Sequence, residues 1–153
     1  MRTRLLVVAI VASVAAPAAA ADEPAAYAVA QQGSLKVVAD VLLEPRGGEM
    51  KGVWLNDALP CSARRLLVVR IDIDLVRPGG TTSRVRRSRS GRVDNCAEGG
   101  PNFGYELDPK ALGLGCADGR WAPGRYALTT RVTDTASGLR ASASLYRQVT
   151  RRC

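Results

Sequence analysis

The chain reads as an all-β protein. Three observations predict it: short runs of strict period-two alternation recur along the 153 residues, turn signals built on glycine and proline separate them at regular spacing, and no segment carries the sustained 3.6-residue period of a domain-building helix. About seven short strands of this kind must bury one face each, and the layered solution is a β-sandwich. With 46% hydrophobic and 24% charged residues the chain has the composition of an ordinary globular domain.

The first element is not a strand. Met1-Arg2-Thr3-Arg4 is a short basic stretch, Leu5 to Ala16 is apolar apart from Ser13, Pro17 breaks any helix, and Ala18 to Ala21 offers small-residue cleavage after Ala20 or Ala21. This is the grammar of a secretory signal peptide over residues 1–21. The apolar stretch is short for a bilayer span, and no later stretch is long and uncharged enough to make one. Export to the extracellular space, free or associated with the cell wall, is the expected address. Residues 22–34, rich in alanine, are expected to form a loose N-terminus, and residues 35–153 a single domain.

From there the strands follow in order. Leu35, Val37, Ala39, Val41 and Leu43 share one face and alternate with Lys36, Val38, Asp40 and Leu42, and Pro45 with Gly47-Gly48 ends the run. Gly52 to Leu55 is a short second candidate leading to Cys61. The clearest strand is Leu66 to Arg77, with Leu67, Val69, Ile71, Ile73 and Leu75 on one face and Arg70, Asp72 and Asp74 on the other. Pro78-Gly79-Gly80 turns the chain. Thr82 to Val93 then returns as a polar strand with only Val85 and Val93 to pin its register.

Asp94 to Asn102 reads as a loop, Phe103 to Tyr105 as a short apolar run, and Asp108 to Gly113 as one capped helical turn. Tyr126, Leu128, Thr130 and Val132 form the next inward face, and Leu139, Ala141, Ala143 and Leu145 the last. Folding about Thr135 to Gly138 sets Val132 opposite Ala141 and Leu128 opposite Leu145.

The same folding arithmetic addresses the four cysteines. Their spacings contain no C-x-x-C, and the chain has no histidine to complete a zinc site. Folding about Pro78–Gly80 brings Cys61 close to Cys96, and folding about Thr135–Gly138 brings Cys153 close to Cys116. Two disulfides, Cys61–Cys96 and Cys116–Cys153, are expected, each contributing about 3–4 kcal/mol by loop entropy less any strain.

The segment Gly119-Arg120-Trp121-Ala122-Pro123-Gly124-Arg125-Tyr126-Ala127-Leu128, closing on Asp134-Thr135-Ala136-Ser137-Gly138, resembles the late strands of bacterial immunoglobulin-like domains. In those domains a Pro-Gly turn feeds a strand with an inward tyrosine and an Asp/Gly turn leads to the final strand. The chain as a whole resembles small secreted proteins of actinomycetes. The resemblance implies an immunoglobulin-like β-sandwich and no activity. The cysteines depart from the Cys…Trp…Cys spacing of antibody domains.

Composition removes whole classes of chemistry. Without histidine there is no His-based triad and no imidazole acid–base catalysis. No G-x-S-x-G or S-x-x-K occurs, no cofactor signature is present, and no enzymatic activity is expected. The formal charge is +8, or about +6 without Arg2 and Arg4. Arginine outnumbers lysine 19 to 3, so an arginine cluster stands out less here than it would elsewhere.

One cluster is dense even so: Arg84, Arg86, Arg87, Arg89 and Arg92 fall within nine residues, and Val85 to Ser90 carries the B-B-x-B pattern of polyanion sites. Guanidinium forks grip sulfate, phosphate and carboxylate, so these five are the candidate binding residues for an anionic cell-wall polymer or acidic polysaccharide. Nucleic acid is disfavoured, because no aromatic interleaves them for base stacking and the chain is exported. The plainer alternative is a charged edge strand that resists edge-to-edge pairing. Asp72 and Asp74 suit a cation or an acid/base pair, or else ion pairs with Arg86 or Arg87 on the return strand. Trp121 and Tyr126 are expected in the core, and Tyr146 on a polar face. A secreted protease inhibitor presenting Asp94 to Asn102 as bait, or a hydrolase of envelope polymer using two carboxylates, are the rival readings.

Overall fold

The computed structural model describes residues 25–96 and 101–153. The signal peptide expected over 1–21 lies outside the described residues. Eight strands form: β1 (Ala25–Gln32), β2 (Leu35–Glu44), β3 (Gly47–Asn56), β4 (Arg64–Val76), β5 (Thr82–Asp94), β6 (Asn102–Glu106), β7 (Gly124–Asp134) and β8 (Arg140–Val149). They make two four-stranded antiparallel sheets. Sheet A has the order β1-β2-β3-β6 and sheet B the order β5-β4-β7-β8.

The two sheets pack on one core. Alternation aims Val37, Ala39, Val41, Met50 and Trp54 from sheet A at Leu67, Val69, Ile71, Ile73, Leu128 and Val132 from sheet B, all buried. At Gly52 the sheets come so close that a Cβ would lie 2.4 Å from a Val132 methyl, which only glycine permits. Disulfides join Cys61 to Cys96 and Cys116 to Cys153, the pairs that folding about the two hairpin turns brings together.

Two sequence expectations are corrected. Ala25–Gln32, expected to be loose, is a strand paired with β2 along its whole length. Its inward residues Ala26, Ala28 and Ala30 are so small that alternation leaves almost no hydrophobic signal. The candidate at Gly52–Leu55 extends to a ten-residue strand, because Glu44 pairs with Gly47 across a two-residue turn. With β1 added, the strands number eight, where about seven were expected. The return strand expected at Thr82–Val93 forms as β5 and pairs with β4 over thirteen residues without a break. What its two valines leave underspecified, cross-strand charge pairs supply.

Local chemistry accounts for the connections. Asp108 caps the turn after β6, its Oδ1 accepting the Lys110 and Ala111 amides at 2.9 and 3.3 Å, and Gly113 ends it at φ +70°. Asp134, fully buried, shapes the β7–β8 turn: its Oδ2 accepts the Ser137 amide at 3.1 Å and meets Arg65 Nη2 at 3.3 Å. The Tyr126 hydroxyl lies 2.9 and 2.8 Å from the Leu114 and Ala122 carbonyl oxygens, and its ring stands edge-on to Trp121 at 5.4 Å between centroids. Burial pushes this hydroxyl up to about 12.

A basic outer face as the candidate functional site

Strand alternation sorts the five candidate arginines onto two sides of β5. Val85 and Val93 are buried, so Arg87 and Arg89 start on the inner side and Arg84, Arg86 and Arg92 on the outer. Arg89 lies over the rings of Phe103 and Tyr105, 4.4 and 5.5 Å from their centroids, and donates to the Gly104 carbonyl oxygen at 2.9 Å. Gly91 leaves the space that Phe103 fills, since a Cβ there would meet the ring at 2.3 Å. Arg89 thus closes the side of the molecule between β5 and β6. Arg87 reaches round the open edge of β5, donating to the Arg86 carbonyl oxygen at 2.9 Å. Arg92 is exposed opposite Leu66.

Of the three outer arginines, Arg84 and Arg86 are largely neutralised by β4. Arg84 Nε meets Asp74 Oδ1 at 2.8 Å, and Arg86 Nε meets Asp72 Oδ1 at 2.8 Å while its Nη2 lies 3.2 Å from Asp74. Arg131 on β7 also bonds Asp72. Of the two partners expected for these aspartates, Arg86 is used and Arg87 is not. Burial works to raise the Asp74 carboxyl, and the hydrogen bonds from Arg84 and Arg86 outweigh it and hold the group below the usual carboxylate range. An acid/base pair needs one carboxyl that keeps its proton near neutrality, and Asp74 is not one. Among the described residues no cluster of three potential metal ligands occurs.

Three arginines that the sequence did not single out as binding residues form the centre of this face. Register sets Arg70 on β4 directly opposite Arg131 on β7, and Arg140 on β8 stands opposite Thr133, one step along the same face. Like charges facing each other across a ladder are unfavourable. Asp72 relieves Arg131, but among the described residues Arg70 has no ion-pair partner. Arg70, Arg131, Thr133, Arg140 and Ser142 line an open groove of about 370 Å³, and a second groove of about 530 Å³ adjoins it between Arg70, Asp72, Arg86, Arg87, Ser88 and Arg131, where the Asp72 carboxylate is already engaged by Arg86 and Arg131. Both offer guanidinium and hydroxyl donors to an anion.

Charge divides between the two outer faces. That of sheet B carries eight arginines (Arg64, Arg70, Arg84, Arg86, Arg92, Arg125, Arg131 and Arg140) and three aspartates (Asp72, Asp74 and Asp94), a net +5. That of sheet A carries Lys36 and Lys51 against Asp40, Glu44, Glu49 and Glu106, a net −2. Tyr146, 78% exposed, stands alone as an aromatic on the basic face among the described residues, so no flat row of rings forms there. The bait segment proposed for an inhibitor falls in part on residues 97–100, outside the described residues. No protein-family model matches the chain, and comparison with curated proteins and with solved structures likewise found no match.

Proposed function

We propose that the protein is an exported, non-catalytic binding module that holds an anionic cell-wall polymer or acidic polysaccharide against the outer face of sheet B, on an immunoglobulin-like fold. One observation carries the binding reading: Arg70 and Arg131 face each other on a solvent-exposed sheet of net +5, with Arg140 beside them and grooves between. An anion seated among them relieves the repulsion and takes bidentate hydrogen bonds, and a repeating polyanion engages several such points at once. A flat sheet suits a polymer better than a small ligand, which needs a concave site. Two disulfides, and among the described residues no helix long and apolar enough to cross a membrane, agree with export.

The topology supports the immunoglobulin-like reading. On this reading β4, β5, β7 and β8 correspond to strands C, C′, F and G, β2, β3 and β6 to A, B and E, and β1 to an added edge strand, an assignment with which the strand orders agree. Tyr126, near the start of β7, hydrogen-bonds the backbone four residues upstream in the manner of a tyrosine corner.

The test is retention on heparin and on a cell-wall fraction, eluted with salt. The purified protein is expected to elute late, with steep salt dependence because exposed charges are screened. Replacing Arg70, Arg131 and Arg140 with serine is expected to bring elution to markedly lower salt. Unchanged elution of that triple variant refutes the assignment of the face.

A further inference from the structure

The four sheet edges are not protected alike. β5 carries its arginines, β6 is only five residues long, and β8 bears Arg140 and Arg147. Short length and charge are the ordinary devices that keep an open edge from pairing. β1, with the sequence Ala-Ala-Tyr-Ala-Val-Ala-Gln-Gln, has neither charge nor proline.

The register of β1 shows which of its backbone groups are open. Gln32 and Leu35 close the two-residue turn at Gly33-Ser34 and so form a hydrogen-bonded pair. Alternation then assigns hydrogen-bonded pairs to Ala30–Val37, Ala28–Ala39 and Ala26–Val41. The N–H and C=O groups of Ala25, Tyr27, Val29 and Gln31 therefore point away from β2. These positions complement themselves. Two β1 strands laid antiparallel about Ala28 set Tyr27 against Val29 of the second copy and Ala25 against Gln31 of the second copy, so every open group meets a partner. Shifting the register by two residues leaves some of them unpaired.

The side chains agree with this register. Tyr27 and Val29 are 77% and 51% exposed on the outer face of sheet A, and Val29 continues an apolar row through Val38 and Val53. Self-pairing covers each Val29 with a tyrosine ring of the other copy and opposes no charge to a like charge on β1.

We propose that a second copy of this chain docks along β1, joining the two A sheets into one continuous eight-stranded sheet. The two-fold axis relating antiparallel neighbours runs perpendicular to the sheet, so the basic outer faces of both B sheets look the same way. A polyanion then meets two such faces side by side, but the dimer itself does not depend on that function.

Sedimentation equilibrium on the exported chain, from about 1 µM to 1 mM, tests it across the range of modest protein interfaces. A concentration-dependent rise to twice the chain mass is expected. Val29→Pro deletes an N–H that points away from β2, a placement at which edge strands tolerate proline, and is expected to weaken the dimer at least about tenfold. Val29→Lys keeps the N–H and adds a charge to the edge, and serves if the proline variant fails to fold. A single-chain mass throughout the range overturns the proposal. So does a dimer that neither substitution weakens.

Discussion

Tyr126→Phe probes how one buried hydroxyl holds the loop before β7. The ring of Tyr126 is buried against Trp121, and phenylalanine keeps that edge-on contact, so the substitution removes the oxygen alone. Leu114 O retains the Ala122 amide at 3.0 Å, whereas the Ala122 carbonyl loses its hydroxyl donor. One buried acceptor left unsatisfied gives an expected loss of about 1–2 kcal/mol at pH 7. The pH dependence is more diagnostic. Burial raises the hydroxyl from its ordinary value near 10 to about 12, so its contribution is complete below pH 10 and is lost as pH rises toward 12. At pH 11 the wild type has forfeited about 1.4 kcal/mol through this group, which the phenylalanine variant cannot lose. The stability gap between the two proteins should therefore shrink by about that amount between pH 9 and pH 11. Urea unfolding followed by tryptophan fluorescence at several pH values measures it, and every other titrating group cancels in the difference. A gap that stays constant from pH 7 to pH 11 refutes the reasoning.

Gly52→Ala places a Cβ 2.4 Å from a Val132 methyl where the sheets are closest, and should cost about 1–3 kcal/mol in chemical denaturation; an unchanged midpoint contradicts the packing described. Asp74 is held below its ordinary value of about 3.8 by Arg84 and Arg86, so its contribution is complete above that pH and fades as pH falls through the lower folded value. Asp74→Asn should flatten the loss of stability on acidification below about pH 4, and an acid-unfolding curve with unaltered slope removes this pair from the account.

Much of the fold was legible without coordinates because the relevant signals are local. Period-two alternation named the inward residues of β2, β4, β7 and β8, and the glycine turn at Thr135–Gly138 was enough to set Val132 opposite Ala141 and Leu128 opposite Leu145. The turns also point to the disulfides: a hairpin brings residues equally distant from its turn side by side, which sets Cys61 within one position of Cys96, and sets Cys153 opposite residue 120, four positions from Cys116 in the loop before β7. Where side chains are too small to mark a face, as in Ala26, Ala28 and Ala30, the pattern fell silent and β1 read as loose chain.

The candidate site is a different matter. The run from Arg84 to Arg92 was conspicuous by density, yet a run of charges says nothing about what stands across the ladder. Asp72 and Asp74 neutralise Arg84 and Arg86, and Phe103 with Tyr105, brought in from the other sheet, takes Arg89. Arg70 and Arg131 are sixty-one positions apart, and neither is remarkable in its own segment. Only the pairing of β4 with β7 makes them neighbours, because strand partners chosen by core packing carry their outward residues with them. Sequence alone determined which residues of β2, β4, β7 and β8 face in and which face out; tertiary structure decided which outward charges meet, and that decision moved the candidate anion site from one strand to the middle of a sheet.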